Sequence, residues 1–333
     1  MNISVLGAGT WGLALARMLA LDGYNVTVWS AFKSEVDDLS TNRCHKNLPG
    51  MVIPDSIIFT EDMAKACQDM GVIVFAVPSP FVRSTAAKAM TYIPDGQIIV
   101  DVAKGIEPDT LLTMTEVIKD ELNKDGNHQN IKLVALSGPT HAEEVAAGLP
   151  TAIVSACHDL EAAREVQDIF MSPQFRVYVN HDSRGVELCG ALKNIIALAA
   201  GIAHGLGFGD NTRAAIITRG VAEMARLGAA MGCQMETFSG LAGLGDLVVT
   251  CTSAHSRNNM AGTLIGQGYT LDAAIEKVGM VVEGVNALKS AIEMSERYGV
   301  ELPIITAVYS ILYKGVTPVD AVNALMGRAK KAE

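Results

Sequence analysis

The sequence lacks the cysteine and histidine patterns of several protein classes. It has no C-x-x-C pair, no dense cysteine framework and no H-E-x-x-H or comparable metal spacing. The six cysteines are scattered: Cys44, Cys67, Cys157, Cys189, Cys233 and Cys251. Disulfide scaffolds and zinc sites are therefore not indicated, and we expect reduced thiols in a cytoplasmic protein without a metal.

Basic clusters and long apolar runs are also missing. There is no run of lysine and arginine with interleaved aromatics, and the formal net charge is −10. Both observations argue against a nucleic-acid surface. No apolar stretch without a charge is long enough to cross a bilayer, and residues 1–6 form a strand pattern instead of a basic leader. We expect a soluble, unprocessed protein with no integral membrane association.

The most informative motif present is a glycine turn. The apolar run from Ile3 to Leu6 breaks into Gly7-Ala8-Gly9-Thr10-Trp11-Gly12 and continues as an alanine- and leucine-rich helix pattern. In a dinucleotide site one such glycine allows the tight turn, one lets the backbone approach the pyrophosphate, and one lets helix and strand pack closely. Because strand and helix patterns flank the turn, the sequence predicts dinucleotide binding rather than a simple packing corner.

The 333 residues, 49% of them hydrophobic, allow two domains. Apolar strand patterns alternate with helical segments up to about residue 180, at 25–29, 71–77, 97–102, 132–136, 152–154 and 175–179. This alternation predicts an α/β domain over 1–183 with a Rossmann-type, doubly wound, mostly parallel sheet. The sequence pattern after that is alanine-rich and typical of helices, which predicts an all-helical substrate domain over 184–333.

The residues after the second strand bear on cofactor choice. An NAD site usually places an acid there, whereas a 2′-phosphate needs that acid absent and a donor or cation nearby. The chain has Ser30 and Lys33 in this stretch. We therefore expect a preference for NADP, with NAD possible.

Two other strand ends carry polar groups. Lys104 follows the strand pattern at 97–102, and Gly138-Pro139-Thr140 follows the one at 132–136. Because ligands bind beyond the carboxyl ends of such strands, these groups predict a shared substrate or nicotinamide site. The alternatives are a surface lysine and an ordinary helix cap at Thr140.

Lys193 is isolated within an apolar helical segment. It is the only Lys, Arg, Asp or Glu between Leu188 and Gly209, so no carboxylate of its own helix can pair with it. Desolvation and nearby cations lower a lysine pKa, which would allow proton exchange near neutral pH. The alternative is a lysine that extends along the helix surface to solvent.

Two further clusters lie in the helical half. Asp246 follows the glycine-rich Gly243-Leu244-Gly245, and Arg257 lies between Ser256 and Asn258. A planar guanidinium matches phosphate geometry, so Arg257 is the candidate phosphate ligand, although an exposed loop arginine is the alternative.

Together these motifs resemble the bacterial-type NAD(P)-dependent glycerol-3-phosphate dehydrogenases. The resemblance extends in collinear order from the glycine turn through Lys104, Gly138-Pro139-Thr140, Lys193-Asn194, Asp246 and Arg257 to Val282-Glu283-Gly284. It implies reversible hydride transfer between NAD(P)H and dihydroxyacetone phosphate, which supplies sn-glycerol 3-phosphate for glycerophospholipid synthesis. It also implies a cytoplasmic homodimer.

The resemblance also implies residue roles. Lys193 is the expected proton donor to the ketone. The expected substrate contacts are Lys104, Gly138, Thr140, Lys193, Asp246, Ser256, Arg257 and Asn258. The expected cofactor contacts are Gly7, Gly9, Thr10, Trp11, Gly12, Lys104, Ala142, Arg257, Val281 and Glu283.

Two alternatives remain open at this point. A 3-hydroxyacid or 6-phosphogluconate-type dehydrogenase would have a similar sheet, a helical second domain and a catalytic lysine, but would act on a carboxylate substrate. A non-catalytic nucleotide-sensing protein would have lost the proton donor or the anion ligand, and Lys193 and Arg257 are both present.

Overall fold

The computed structural model describes residues 1–330, which form two compact units. The sheet unit comprises Met1–Lys104 and Leu112–Ser183, and the helical unit comprises Gly105–Leu111 together with the chain from Arg184 onward. The sequence predicted one boundary between residues 183 and 184, and residues 105–111 depart from it. They join the helical unit because Ile106 is buried in its core and its carbonyl accepts a hydrogen bond from the Ser290 hydroxyl.

The sheet unit contains eight strands in the order β3-β2-β1-β4-β5-β6-β7-β8. All neighbouring strands are parallel except β6 and β7, which pair antiparallel. The strands are β1 (Asn2–Leu6), β2 (Asn25–Trp29), β3 (Ile58–Thr60), β4 (Val72–Phe75), β5 (Ile98–Asp101), β6 (Lys132–Ser137), β7 (Thr151–Ala156) and β8 (Phe175–Asn180). The doubly wound, mostly parallel sheet predicted from the sequence is confirmed.

The helices of this unit cover the sheet. They are α1 (Thr10–Leu21), α2 (Lys33–Asn42), α3 (Met63–Cys67), α4 (Val82–Ala89), α5 (Met114–Leu122), α6 (Ala142–Ala146) and α7 (Leu160–Phe170). The central strands are buried because helices pack on both of their faces, which explains their continuous apolar sequence. Seven of the eight strands match predicted strand patterns. The eighth, β3, is a three-residue strand at the edge of the sheet that no sequence pattern predicted.

Helices alone form the described part of the chain after residue 183. They are α8 (Ser183–Gly205), α9 (Asp210–Ala230), α10 (Met235–Ser239), α11 (Asp246–Thr252), α12 (Arg257–Gly266), α13 (Leu271–Val278), α14 (Glu283–Tyr298), α15 (Pro303–Tyr313) and α16 (Pro318–Met326). Helix α8 is long and apolar enough to cross a membrane by length and composition, but 94% of its apolar window is buried inside the protein. It is therefore the core helix of this unit.

Four glycines bring α8 and α12 into direct backbone contact. Gly201 and Gly205 of α8 face the α12 backbone, and Gly262 and Gly266 of α12 face the α8 backbone. A Cβ on any of the four would lie well inside the 3.0 Å that real Cβ atoms keep from a neighbouring carbonyl oxygen. Only glycine permits this approach, because the obstructing atoms are backbone atoms that cannot rotate away.

This contact predicts whether alanine at position 262 raises or lowers the free energy of unfolding. Gly262→Ala would gain helix propensity, which favours alanine by about 1 kcal/mol. The new methyl group would, however, collide with the Leu198 carbonyl oxygen, and overpacking of this kind costs about 1–3 kcal/mol. We expect a lower free energy of unfolding, measured by urea denaturation. A variant more stable than the wild type would contradict the close approach.

A buried carboxylate joins α9 to the start of α15. Glu223 is 2% exposed, and its oxygens accept hydrogen bonds from the main-chain N–H groups of Ile304 (2.8 Å) and Ile305 (3.3 Å). Burial raises the pKa of Glu223 to about 7, although these two hydrogen bonds oppose the rise. The folded protein therefore binds a proton here more tightly than the unfolded chain does.

The raised pKa predicts a pH-dependent contribution to stability. Protonated Glu223 favours the folded state, so its contribution is present below the ordinary pKa of about 4.5 and is lost as the pH rises to about 7. Between about pH 5.5 and about pH 8 the wild type should lose about 2 kcal/mol relative to Glu223→Gln, measured by urea denaturation at both pH values. The exposed Glu296→Gln is the control. A pH-independent difference between wild type and Glu223→Gln would contradict the prediction.

Candidate active site

The glycine turn between β1 and α1 has the geometry that its spacing predicted. Gly7 has φ +124°, and a Cβ there would lie 2.7 Å from the Ala76 carbonyl group. A Cβ on Gly12 would collide with the Gly7 carbonyl oxygen. Gly9, in contrast, has no atom within 4 Å of its Cβ position. Two glycines thus permit close packing, while the third leaves space beside the start of α1.

That space is open to an anion such as a pyrophosphate. Gly9 is the N-cap of the 12-residue helix α1. Because glycine has no side chain, no side chain of this residue caps the N–H groups at the start of the helix. The N–H groups at the start of a helix bind anions, and the positive end of the helix dipole adds to this attraction. Thr10 and Trp11, two of the expected cofactor contacts, lie in the first turn of α1.

The end of β2 lies next to a carboxylate of α2 that the sequence pattern did not indicate. Ser30 is buried, and its hydroxyl donates a 2.5 Å hydrogen bond to the Glu35 carboxylate. Glu35 lies in the first turn of α2, which begins three residues after Ser30. The turn of the helix therefore folds the carboxylate back to the strand end.

Lys104, Gly138 and Thr140 lie together, as expected for a shared site. The Gly138 carbonyl accepts hydrogen bonds from the Lys104 ammonium (3.2 Å) and from the Thr140 hydroxyl (3.1 Å). The N-cap of α6 is His141, so Thr140 is not the helix cap of the alternative interpretation. Ala142, an expected cofactor contact, is the first residue of α6 and is packed in the core.

Lys193 is buried and ion-paired. It is 5% exposed, and its ammonium lies 2.7 Å from the Asp246 carboxylate and 2.6 Å from the Thr250 hydroxyl. The carboxylate comes from α11 and not from Lys193's own helix. This geometry differs from a lysine that extends to solvent, because the charge is held inside the unit.

Thr250 is the residue of this cluster that the sequence analysis missed. Its hydroxyl accepts from Lys193 and donates to the Asp246 main-chain oxygen at 2.6 Å. Thr250 follows Asp246 by four residues in α11, and residues at this spacing share one face of a helix. The i, i+4 spacing of Asp246 and Thr250 would therefore have indicated Thr250 once the pairing of Asp246 with Lys193 was known.

Cys251 is an uncharged neighbour of this cluster. Burial raises the pKa of the Cys251 thiol to about 12, so this neighbour is neutral near pH 7. Asp246 itself starts α11 directly after a π-helical turn, Leu241–Gly245, in which Gly243 passes too close to the Phe238 backbone for any Cβ. The glycines before Asp246 thus allow the turn that directs its carboxylate to Lys193.

A chain of amide hydrogen bonds fixes the helices around Lys193. The Asn258 amide donates to the Asn194 side-chain oxygen (2.9 Å) and accepts from the Gly284 N–H (2.8 Å). It therefore joins α8, α12 and α14. Ser256 is the N-cap of α12 and accepts from the Asn259 N–H at 3.2 Å. Asn258 and Ser256 were expected substrate contacts. In the structure Asn258 connects three helices and Ser256 caps α12.

Arg257 lies at the first position of α12 and is half-buried. Among residues 1–330 its guanidinium makes no hydrogen bond or ion pair, so it is available to an anion. Val281 is exposed, and Glu283, the first residue of α14, accepts a 3.3 Å hydrogen bond from the Asn286 amide. Over the described part of the chain no three His, Cys, Asp or Glu side chains form a candidate metal group.

The sequence matches two family descriptions across most of its length. Residues 2–163 match "NAD-dependent glycerol-3-phosphate dehydrogenase N-terminus", and residues 182–323 match "NAD-dependent glycerol-3-phosphate dehydrogenase C-terminus".

Full-length relatives agree with these matches. The chain is 63% identical to glycerol-3-phosphate dehydrogenase (NAD(P)+) 2 of Lactobacillus delbrueckii subsp. bulgaricus, covering 100% of this chain and 98% of the relative. It is 51% identical to the Fusobacterium nucleatum enzyme of the corresponding name, covering 100% and 98%. The crystal structure of glycerol-3-phosphate dehydrogenase from Coxiella burnetii superposes with a TM-score of 0.93 at 36% identity, covering 98% of this chain and 99% of that one.

Proposed function

The chain belongs to the NAD-dependent glycerol-3-phosphate dehydrogenase family, and from this premise we propose that it reversibly reduces dihydroxyacetone phosphate to sn-glycerol 3-phosphate. It is an oxidoreductase that uses a nicotinamide cofactor. The bound nicotinamide supplies the hydride to the ketone carbon and accepts it in the reverse reaction. The remaining step is proton transfer to the ketone oxygen, and the buried Lys193 ammonium is the observation that supports it.

Lys193 is the proposed proton donor. Hydride addition to a ketone produces an alkoxide, and a positioned ammonium both stabilises that charge and delivers a proton. Asp246 and Thr250 orient the ammonium through the contacts at 2.7 Å and 2.6 Å. In the reverse direction the amine accepts the proton from the alcohol.

Arg257 is the proposed ligand of the substrate phosphate. Its guanidinium lies at the N-terminus of the 10-residue helix α12, where the fork of N–H donors and the helix dipole both favour an anion. Binding of the remote phosphate would orient the ketone for the reaction. Asp246, Ser256 and Asn258 complete the proposed contacts in this unit, of which Asp246 and Asn258 act chiefly by holding Lys193 and its helix.

In the sheet unit we assign cofactor binding to the glycine turn and to the first turn of α1. Lys104, Gly138 and Thr140 are proposed substrate contacts, with Lys104 also a cofactor contact, and their mutual hydrogen bonds support one shared role. The remaining proposed cofactor contacts are Ala142, Arg257, Val281 and Glu283.

The wider assignments are proposals of the same kind. We place the enzyme in the cytoplasm, supported by six free thiols, as a homodimer that needs no metal and feeds glycerophospholipid synthesis. We do not extend the proposal to the preference for NADP expected from Ser30 and Lys33, because the Glu35 carboxylate lies at the same strand end.

The purified protein should consume NADH or NADPH when dihydroxyacetone phosphate is added, measured by loss of nicotinamide absorbance. Lys193→Ala should lower kcat by about 10²–10⁴-fold while cofactor affinity changes little, because Lys193 is the proposed proton donor and not a proposed cofactor contact. The exposed Lys277→Ala is the control. Turnover with a carboxylate substrate alone would favour the hydroxyacid dehydrogenases, and cofactor binding without any turnover would favour the sensor.

Thr250→Val should lower kcat by about 10–100-fold, because it removes a hydrogen bond to a charged group while keeping the side-chain volume. Thr250→Ser restores the hydroxyl and should recover most of the loss. The matched control is Thr252→Val, since Thr252 lies on the exposed side of the same helix and its hydroxyl donates to the Val248 carbonyl. Equal effects of the two valine variants on kcat would show that Thr250 does not act through Lys193.

A further inference from the structure

The end of β2 presents a carboxylate whose position is fixed. The Ser30 hydroxyl donates to Glu35 at 2.5 Å and accepts from the Phe32 N–H at 3.2 Å. A hydroxyl has one hydrogen to donate, and Ser30 gives it to Glu35. Ser30 is 4% exposed, so its rotamer is held by the surrounding core, and Glu35 is half-buried. The pair therefore forms an acceptor site immediately beyond the strand.

The cations closest in sequence to this acid are engaged elsewhere. The Lys33 ammonium lies 3.6 Å from the Asp37 carboxylate. The Arg43 guanidinium donates to the main-chain oxygens of Ile57 (2.7 Å) and Pro54 (3.3 Å). Helix α2 carries three acidic residues and one lysine, so the net charge of this helix is negative.

The neutral form of His45, near Glu35, is favoured. Burial lowers its pKa, and the smaller effect of the Glu35 charge, which raises it, does not reverse that shift. The Lys46 charge also lowers this pKa. Since three of the four charged residues of α2 are acidic, this helix favours neutral hydrogen-bond donors over anions at Glu35.

The two nicotinamide cofactors differ at this location in dinucleotide-binding sheets. There, about 20 residues beyond the glycine turn, an acid accepts from the adenosine ribose hydroxyl of NAD, whereas the 2′-phosphate of NADP needs a cation. Glu35 occupies that interval of the sequence, on the helix instead of the strand.

We propose that Glu35, oriented by Ser30, selects NAD(H) over NADP(H) by accepting hydrogen bonds from the adenosine ribose and repelling a 2′-phosphate. The proposal rests on the nicotinamide-dependent function given above. It reverses the preference for NADP that was expected from Ser30 and Lys33, because that expectation treated the Ser30 hydroxyl as a donor to phosphate.

Dissociation constants measure this selectivity without turnover. Trp11 lies in the first turn of α1 and Trp29 at the end of β2, so quenching of their fluorescence by NADH and NADPH is the readout. The wild type should bind NADH at least about tenfold more tightly than NADPH, as expected for hydrogen bonds to a charged group. Glu35→Gln should shrink this ratio at least about fivefold, mainly by tighter NADPH binding. The NADH-to-NADPH affinity ratio of Ser30→Ala should lie between those of the wild type and Glu35→Gln.

Asp38→Asn is the matched control. It removes the same charge from the same helix, but Asp38 contacts Asn42 and not Ser30. Its NADH-to-NADPH ratio should stay within about twofold of the wild type. NADPH binding as tight as NADH binding in the wild type would overturn the proposal, as would equal shifts in Asp38→Asn and Glu35→Gln. Selective binding without reduction of dihydroxyacetone phosphate would instead overturn the proposed function and leave this inference standing.

Discussion

The buried ammonium of Lys193 is the constraint on which the helical unit depends. An isolated ion inside a protein costs several kcal/mol, so a lysine at this depth requires a partner. Asp246 supplies it from α11. The π-helical turn before Asp246 requires glycine at 243, because any larger residue there would collide with the Phe238 backbone. The same pairing fixes the direction of the ammonium group, which a proton donor requires.

The position of that pair depends on how closely the helices pack. Glycines at 201, 205, 262 and 266 let α8 and α12 touch through their backbones, and the amide chain through Asn258 then fixes α14 against both. Close-packed interiors transmit small displacements. A methyl group at one of these glycines would therefore push α8 and α12 apart and strain the Asn258–Asn194 hydrogen bond beside Lys193.

How well the sequence predicted each part of the site follows from the range of the interactions involved. The glycine turn was predictable because its three roles are backbone properties within six residues. Lys193 stood out because its own helix offers no carboxylate, but its pairing with Asp246 joins residues 53 apart in the chain, which spacing alone does not reveal. Residues 105–111 and the short edge strand β3 were missed for a similar reason, since tertiary packing and not local pattern determines both.

Ser30 shows why residue type alone did not decide the cofactor. A serine after β2 is compatible with a phosphate only while its hydrogen is available, and the sequence cannot indicate which acceptor receives that hydrogen. The start of α2 at Lys33 determines it, because one helical turn brings Glu35 back to the strand end. Selectivity at such a position thus follows from the direction of one hydrogen bond. A neighbour five residues away can reverse that direction without any change in the strand or the glycine turn.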